Sequence, residues 1–547
     1  MSQPSITAPL GGGSPTAAPD QAAPRHRAPS RTRLAVAAIT TVVLLVLCGL
    51  SVLLRSRAID TSYWIDEGIA TGIARYPLHE IPSKLLLDGS PPLYYLLLHC
   101  WELMFGTGEM GTRSLSLLAA TLTIPVSYLF ALRIAGRRAA WVAALLAAGH
   151  PFLTYYAQET RMYTLVSLES LLLGGFLILV FVRRERRFIP FAILSGAALL
   201  YTHNWGIFAV AASFVACLAV VFTGEKQDGV VDKVARRKAV IDGVIVYAGI
   251  AIVWLPWVPS FLKQAGSTGA PWSLRPSLSD LFSAVVVPFG YEMTGVLLAI
   301  IVALAALRVA TRGRSGDAPT TRAALLLVVM VVAGGGLAWF ASQLSPAWSL
   351  RYLAISVGPV LLLSGLVLAR VPTVGAAVLC ILVLTWAQPL EAKVRQKSNT
   401  AQVAALAIDY GATAPGDVVI SPHPEQIPVI SHYMGTGPRY ATSLGFQPDT
   451  RIFDWRHALD RLRAARPSVV WGGMKPTIKP GADVVLAVPI LRTASWRAPW
   501  TSLVKTRAIQ WQIMLDEDPS LIRLGELPRY GDRPLPRGIR VIVYRVR

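Results

Sequence analysis

Long apolar runs separated by short basic segments make up the chain from residue 34 to residue 389. The first run, Leu34 to Leu54, has about 20 residues, the length with which an α-helix crosses the hydrocarbon core of a bilayer. Ten similar runs follow, at 112–132, 139–155, 163–182, 188–202, 205–222, 240–258, 284–307, 323–341, 352–369 and 373–388. The pattern predicts a polytopic α-helical membrane domain of about eleven transmembrane helices.

The pattern changes at both ends of this region. Residues 1–33 are rich in Pro, Ala, Gly and Ser and predict a disordered tail before an uncleaved anchor. Residues 390–547 are polar and predict a small α/β domain. Its predicted strands are 417–421, 468–473, 483–488 and 539–546, and its clearest predicted helix is 454–465.

Lys and Arg cluster in four of the segments between the apolar runs, at 133–138, 183–187, 224–238 and 308–322. Such clusters mark cytoplasmic loops. The tail 1–33 is then cytoplasmic, and eleven crossings place 390–547 outside the membrane. Residues 91–106 are apolar but only about 16 residues long, and a crossing there would place the basic cluster 133–138 outside. We therefore interpret them as an amphipathic or re-entrant helix within a long first outer loop, 55–111.

Composition agrees with a multi-pass protein of the plasma (inner) membrane. Hydrophobic residues make up 53% of the chain and charged residues only 15%, and the mean hydropathy is +0.50. The net charge of +21 is assigned to cytoplasmic loops and anionic lipid rather than to nucleic acid. The four cysteines lie in apolar stretches without a CxxC pair, which argues against a disulfide framework.

Residues with useful chemistry collect where the predicted spans face outside. The acidic pair Asp66 and Glu67 follows Tyr63 and Trp64 in the first outer loop. Other candidates lie at the outer ends of later spans, namely Arg113, Glu159, Arg161, His203 and Arg351, with Asp88 and Glu109 in the first loop. Ionisable residues at membrane depth indicate function, so we expect these side chains to share one cavity.

Such a set suits sugar transfer from a lipid-linked phosphate. The apolar tail of the donor would lie among helices, Arg or Lys would offset the charge that develops on the leaving phosphate, and a carboxylate would accept the proton of the acceptor hydroxyl. A single displacement inverts the anomeric centre and needs one base.

Each candidate also has a structural interpretation. Asp66 and Glu67 could be acids in the first turn of a helix. Glu159 and Arg161 could form a snorkelling ion pair, Arg113 and Arg351 could anchor headgroups, and His203 could be a hydrogen-bonded interfacial histidine.

Four stretches together resemble the GT-C membrane glycosyltransferases. They are "YWIDEG", "SPPLYYLLLHCW", the segment from "GTGEMGTRSL" to "YYAQETRMYTL", and "LLYTHNWGIF". The chain is similar to the branch that includes protein O-mannosyltransferases and the lipid A aminoarabinose transferase. The resemblance implies an inverting transferase that uses polyprenyl-phosphate sugars at the extracytoplasmic face.

The resemblance also implies roles for individual residues. Asp66 corresponds to the general base, with Glu67 beside it, and Glu159 is the nearest match to a second acid. Gly89 and Ser90 stand where the aminoarabinose-transferase type has a Glu-Lys pair, so another cation must bind the donor phosphate. The candidates are Arg161, Arg113, Arg351 and His203.

Two further sites are predicted. A divalent cation, Mg or Mn, could be held by Asp66 and Glu67, although the missing Glu belongs to the metal site proposed for that branch. In the C-terminal domain, "SPHPEQ" places His423 and Glu425 in a Pro-bounded loop after a strand, where they could bind the acceptor or serve only as a structural turn.

We therefore predict an inverting glycosyltransferase that moves a mannose- or arabinose-class sugar from a polyprenyl-phosphate donor to a hydroxyl of a glycan, lipoglycan or protein. Two alternatives stay open. A transporter or flippase of a lipid-linked sugar would use the same cavity without a base, and a non-catalytic envelope assembly factor would use the basic outer domain, whose 22 Lys and Arg against 13 Asp and Glu give +9.

Overall fold

A computed structural model describes residues 31–223, 226–227, 230–290, 292–312, 318–373, 375–377, 397–490, 497–528 and 538–547. The chain divides into two compact units, Met1–Val46 and Leu47–Arg547. All packing described below lies within the second unit. The predicted tail 1–33 and the predicted domain boundary near residue 390 fall largely outside the described residues, as does most of the span 373–388.

Helices dominate the part of the chain before residue 378. In chain order they are α1 Arg31–Arg55, α2 Ile65–Ala74, α3 Ile81–Asp88, α4 Leu93–Phe105, α5 Glu109–Ala135, α6 Arg137–Gly149, α7 Pro151–Tyr156, α8 Tyr163–Leu177, α9 Ile189–Thr202, α10 Gly206–Phe222, α11 Lys233–Trp254, α12 Val258–Ser267, α13 Leu278–Val286, α14 Glu292–Arg312, α15 Ala318–Leu344 and α16 Ala354–Leu368. A short hairpin, β1 Lys226–Gln227 with β2 Val230–Val231, joins α10 to α11.

Six helical segments in the described residues are long and apolar enough to cross a membrane: Leu34–Arg55, Glu109–Ala135, Tyr163–Val182, Lys233–Ser267, Ala318–Leu344 and Leu350–Leu368. Shorter apolar helices accompany them, including Gly206–Phe222. Helix α4 has 13 residues, about 20 Å at 1.5 Å per residue, which is less than the hydrocarbon core of about 30 Å.

Two of the predicted spans are broken in the structure. The run 139–155 is divided into α6 and α7 at His150, because Pro151 begins a new helix at its first position. The run 284–307 was expected to be continuous, but α13 ends before a turn at Val287–Phe289 and Gly290, whose φ of 139° no helix accommodates. Proline and glycine therefore place the breaks that hydrophobicity alone does not locate.

Two of the four basic clusters, 133–138 and 183–187, meet at one end of the bundle. Arg133 pairs with Glu185, and Arg183 donates hydrogen bonds to the carbonyls of Arg133 and Ile134. Arg113 lies on the same helix α5 about 20 residues earlier, roughly 30 Å away along the axis. The two ends of α5 are thus separated by the thickness of a bilayer core.

The C-terminal region folds as a mixed six-stranded sheet covered by helices on both faces. Its strands are β3 Val418–Ser421, β4 Arg439–Thr442, β5 Gly445–Phe446, β6 Asp483–Pro489, β7 Leu521–Leu527 and β8 Ile539–Val546. Their order is β5-β4-β3-β6-β8-β7, with β3 parallel to β4 and β6 and the other pairs antiparallel. The helices are α17 Thr400–Asp409, α18 Ile427–Met434, α19 Ala458–Ala464, α20 Pro467–Met474 and α21 Pro499–Asp516.

Alternation along the strands supplies two cores, one on each face of the sheet. Val418 and Ile420 face a core that contains Trp471 and Trp511, whereas Val419 faces the opposite core. Three of the four predicted strands are present. The fourth prediction, a strand at 468–473, is wrong, because this stretch is helix α20: Pro467 starts it, and Trp471 and Met474 bury one helical face.

The sheet domain packs directly against the first-loop helix α2. A Cβ atom on Gly68 would lie 2.6 Å from the Cβ of Val429, and one on Gly72 would lie 2.0 Å from the carbonyl oxygen of Arg451. Only glycine allows this approach of the two backbones. The packing brings the C-terminal domain to the helix that carries Asp66.

Candidate active site

One cavity of about 290 Å³ collects residues from the ends of several membrane helices. Four of the predicted site residues line it: Asp66, Arg161, His203 and Arg351. Asp66 lies in α2 and Arg161 just before α8, whereas His203 lies between α9 and α10 and Arg351 just before α16. Residues distant in sequence therefore meet here, and the sheet domain contributes Trp455 to the same lining.

Asp66 and Arg351 form an ion pair in this cavity. Arg351 Nη1 lies 2.7 Å from Asp66 Oδ2, and the two side chains are 18% and 20% exposed. The Arg351 guanidinium also lies within about 6 Å of four aromatic rings, those of Trp64, Tyr163, Trp272 and Tyr352. The rings fix the position of the cation while the carboxylate remains at the surface of the cavity.

Arg161 provides a second guanidinium beside another acid. Its Nη1 donates to the hydroxyl of Tyr95 at 3.2 Å, and that hydroxyl donates to Asp88 Oδ2 at 3.3 Å. Burial raises the pKa of Asp88, and the nearby Arg161 opposes the shift. Arg161 Nε is buried without a hydrogen-bond partner among the described residues, which leaves a donor for a bound anion.

His203 is held as a neutral ring. It is buried, and its Nδ1 accepts a hydrogen bond from the backbone N–H of Trp205 at 3.0 Å. Burial lowers the pKa of His203 to about 3, and the charges of Arg161 and Arg351 lower it further. Because Nδ1 is the acceptor, the proton of the neutral imidazole is on Nε2. The ring can therefore donate one hydrogen bond.

The turn at Gly89 closes the cavity between α3 and α4. Gly89 has a φ of 93°, and its carbonyl accepts a hydrogen bond from Asn204 Nδ2 at 2.8 Å. A Cβ atom at Gly89 would lie 2.7 Å from Thr268 Oγ1. Any residue with a side chain is therefore strained at this position.

Glu67 and Arg113 form a buried bidentate pair beneath the cavity and outside its lining. Arg113 Nε lies 2.7 Å from Glu67 Oε1, and Nη2 lies 2.7 Å from Oε2. Glu67 also accepts from the backbone N–H of Thr160 and of Trp64. Arg113 donates hydrogen bonds from its remaining N–H groups to the carbonyls of Ile59, Thr61 and Ser62. The pair connects α2, α5 and the segment before α8.

Glu159 lies outside the cavity lining and pairs with Lys397. The carboxylate is 1% exposed, and the Lys397 ammonium lies 4.3 Å from the centre of the Tyr155 ring and 5.4 Å from that of Trp64. Lys397 comes from the start of the C-terminal region. The contact therefore ties that region to the membrane helices.

His423, which precedes the short turn Pro424–Gln426, hydrogen-bonds to Glu425 within it, and the turn contacts α2. Neither residue lines the cavity. The ring of His423 is buried, so in this arrangement the pair holds the turn.

The carboxylates of Asp66 and Glu67 do not fit a divalent cation. Both oxygens of Glu67 are filled by two N–H donors each, and Asp66 faces a guanidinium at 2.7 Å. A cation needs free carboxylate lone pairs and repels guanidinium groups. In the described part of the chain, no three His, Cys, Asp or Glu side chains form a cluster that could hold a metal ion.

Sequence reasoning did not select several residues that the cavity contains. Trp272, Tyr352 and Trp455 supply aromatic faces, Asn204 fixes the Gly89 turn, and Asp88 was noted without a role. The signal for Tyr352 was its position beside Arg351. No local signal points to Trp455, because it reaches the cavity only through the packing of the sheet domain.

No family model matches the sequence, and a comparison with curated protein sequences finds no match. In structure the chain is similar to ArnT from Cupriavidus metallidurans bound to undecaprenyl phosphate, with a TM-score of 0.55, 14% identity and coverage of 94% of this chain and 98% of that one. It is also similar to the arabinofuranosyltransferase AftD from Mycobacteria, with a TM-score of 0.52, 14% identity and coverage of 92% and 40%.

The archaeal oligosaccharyltransferase AglB from Archaeoglobus fulgidus, in complex with an inhibitory peptide and a dolichol-phosphate, has a TM-score of 0.47 at 12% identity over 85% of this chain and 72% of that one, a likeness too weak to argue from. The two stronger likenesses, together with the apolar helices, confirm the fold that the motifs imply. This chain is a multi-pass membrane protein with the GT-C fold, the fold of ArnT and AftD.

Proposed function

We propose that the protein is an inverting membrane glycosyltransferase that moves a sugar from a polyprenyl-phosphate donor to an acceptor hydroxyl. One observation carries the proposal: a carboxylate, Asp66, pairs with Arg351 and shares with Arg161 a cavity at the ends of apolar helices. A phosphate leaving group needs the cations, and a hydroxyl nucleophile needs the base.

In the proposed reaction the donor phosphate binds Arg351 and Arg161. The acceptor oxygen attacks the anomeric carbon, the bond from that carbon to the phosphate oxygen breaks, and the hydroxyl proton passes to Asp66. Polyprenyl phosphate leaves with the bonding electron pair. The Nε2–H of His203 is placed to donate to a phosphate or sugar oxygen. No step uses a metal ion, since the residues do not fit one.

The ion pair between Asp66 and Arg351 gives the reaction an order. A donor phosphate competes with Asp66 for the Arg351 guanidinium, because both are anions that accept hydrogen bonds from the same N–H groups. Donor binding therefore releases the carboxylate, which can then accept a proton. We expect the donor to bind before the acceptor.

Helix α12 is suited to contact the lipid tail of the donor. Phe261 and Gln264 on this helix line the cavity, whereas Leu262 is 62% exposed. Leu278 and Phe282 on α13 are also exposed apolar side chains. A membrane-facing apolar surface beside a cationic cavity fits an amphiphile with a phosphate head.

Arg113 and Glu67 act in this proposal by positioning α2 and do not touch the donor. Glu159 likewise anchors Lys397 and does not act as a second acid. The resemblance leaves mannose and arabinose as donor sugars, with a glycan, a lipoglycan or a protein as acceptor.

The test is transfer in detergent from synthetic short-chain polyprenyl-phosphate mannose and polyprenyl-phosphate arabinose to an envelope extract. Asp66→Asn should lower the rate by roughly 10²-fold or more, the range for loss of a general base. The matched control is Asp60→Asn, an exposed acid in the same loop, which should keep full activity. Full transfer by Asp66→Asn would remove Asp66 from this role, and a wild-type protein without product from either donor would favour a flippase.

A further inference from the structure

A second, larger cavity lies on the opposite face of α2 from the candidate active site. It has a volume of about 840 Å³ and is formed by α2 together with α18, β4, β5 and the loop that follows. The first cavity is lined by Asp66 and Ile69 of α2, whereas the second is lined by Gly68, Thr71, Gly72 and Arg75.

The spacing of these residues explains why one helix serves both cavities. Gly68, Thr71, Gly72 and Arg75 follow the i, i+3, i+4, i+7 pattern of a single helical face, and Asp66 and Ile69 lie on the other side. Helix α2 is therefore a wall about 10 Å thick between the cavities. The glycines at positions 68 and 72 keep that wall thin where the sheet domain contacts it.

Two guanidinium groups give the second cavity a positive charge. Arg75 donates to His432 Nδ1 at 2.7 Å, and Arg439 donates to the carbonyl and hydroxyl of Thr477. Within the described residues neither one is in an ion pair with a carboxylate. Arg451, by contrast, is balanced by Asp449, to which it donates two hydrogen bonds at 3.1 Å. Burial and the neighbouring Arg75 lower the pKa of His432 to about 4, so its ring is neutral and adds no charge.

The remaining lining has the chemistry of a polyol site. Ser431, Thr436 and Thr450 present hydroxyl groups, and Gln447 presents an amide whose oxygen is an acceptor. Phe446 and Tyr440 contribute ring surface, with the Arg439 guanidinium carbon 4.5 Å from the centre of the Phe446 ring. Hydroxyl, amide and aromatic groups around a cavity of this size fit sugar rings, and the unpaired guanidiniums fit an anionic substituent on them.

We propose that this cavity binds a carbohydrate chain bearing an anionic substituent, a phosphate or a carboxylate, as the part of the acceptor that lies away from the reacting hydroxyl. The assignment of this carbohydrate as the acceptor rests on the proposed function, because α2 places the cavity one helix diameter from Asp66. The cavity itself, as a site for an anionic carbohydrate, stands on its own lining.

The test measures binding to the full chain in detergent by saturation-transfer NMR, with mannose 6-phosphate, mannose and inorganic phosphate as probes. The protein carries Asp66→Asn, so that no turnover is involved. Mannose 6-phosphate should bind, and Arg75→Gln with Arg439→Gln should weaken its binding at least tenfold. The matched control Arg463→Gln changes an exposed arginine of the same domain that pairs with Asp460, and it should bind as the parent does.

Three results would overturn the inference. The first is unchanged binding of mannose 6-phosphate in the double variant, and the second is loss of that binding in Arg351→Gln instead. The third is inorganic phosphate that binds as tightly as mannose 6-phosphate, because the sugar then contributes nothing to the affinity. A protein that binds the probe through Arg75 and Arg439 but gives no transfer with either donor would sink the proposed function and leave the carbohydrate site standing. A protein that transfers the sugar but does not bind the probe through Arg75 and Arg439 would support the proposed function and rule out the carbohydrate site.

Discussion

At the scale of single residues, the position of each charge decides its use. Arg351 and Arg113 both lie at predicted outer ends of spans, and in the structure each pairs with an acid. Arg351 lines a cavity and, within the described residues, donates one hydrogen bond to the carboxylate of Asp66. Arg113 is 2% exposed and donates all of its N–H groups to protein atoms. Only Arg351 can therefore exchange its carboxylate partner for a substrate phosphate.

Arg351→Gln should lower kcat/KM for the donor by roughly 10²- to 10³-fold, the cost of removing one preorganised donor to a developing oxyanion. Arg351→Lys should keep part of the activity, because it retains the charge and loses the planar fork. The measurement is the initial rate against donor concentration in detergent.

Arg186→Gln is the matched control, since Arg186 also pairs with an acid, Asp242, at 2.8 Å but lies near the basic end of the bundle. Its rate should equal that of the wild type. A donor kcat/KM for Arg351→Gln within threefold of the wild type would show that this guanidinium does not bind the phosphate.

His203 gives a prediction about pH. Its pKa is lowered to about 3, so the ring stays neutral from pH 5 to pH 8. The ratio of wild-type to His203→Gln transfer rates should therefore be constant across that range. A ratio that changes near pH 6.5, the ordinary pKa of histidine, would contradict a permanently neutral ring.

The lowered pKa of His203 also makes the free energy of unfolding depend on pH. The unfolded chain takes up a proton on His203 below about pH 6.5, and the folded protein does not until about pH 3. The contribution of His203 to the free energy of unfolding is therefore present above pH 6.5 and declines as the pH falls toward 3.

At the scale of elements, α2 depends on anchors outside itself. It has ten residues, too few to be stable alone in water. Its first turn is held by the hydrogen bond from the Trp64 N–H to Glu67, and Glu67 joins it to Arg113. Its later turns are held by glycine contacts with the sheet domain.

Glu67→Gln should lower the free energy of unfolding by about 3–5 kcal/mol, because it leaves the Arg113 guanidinium buried without its counter-ion. Thermal melting in detergent, followed by tryptophan fluorescence, measures the change. Glu185→Gln is the control: this carboxylate pairs with Arg133 and Arg187, which are largely exposed, so its loss should cost about 0–1 kcal/mol. Equal melting temperatures for the two variants would mean that the Glu67 pair does not hold α2.

At the scale of the whole molecule, the separation of the two ends of the helical bundle predicts an orientation. The candidate active site and the sheet domain share one end, and the basic segments around Arg133 and Arg183 share the other. By the positive-inside rule we predict that the basic end is cytoplasmic and that the sheet domain is extracytoplasmic.

A cysteine placed at Lys479, exposed in the sheet domain, should react with a membrane-impermeant maleimide in intact cells. A cysteine at Lys238, exposed near the start of α11, should react only after the membrane is opened. Both substitutions, Lys479→Cys and Lys238→Cys, are made in a chain whose four native cysteines are replaced by serine. The opposite labelling pattern would invert the proposed topology.

The sequence by itself determined the class of the protein and much of its candidate site. Runs of about 20 apolar residues have no stable place outside a bilayer or a large core, so membrane helices follow directly from the pattern. Because the ends of those helices alternate between two surfaces, the sign of loop charges already places Asp66, Arg161, His203 and Arg351 on one side.

Only the tertiary structure decided which of these residues face one another. Whether Glu67 binds substrate or Arg113, and whether Glu159 faces the cavity or Lys397, depends on the rotation of each helix about its axis and on contacts between segments hundreds of residues apart. Hydrophobic periodicity does not fix that rotation for helices that are apolar on all sides. The second cavity and the place of Trp455 arise only from the packing of the sheet domain against α2, which no local pattern encodes.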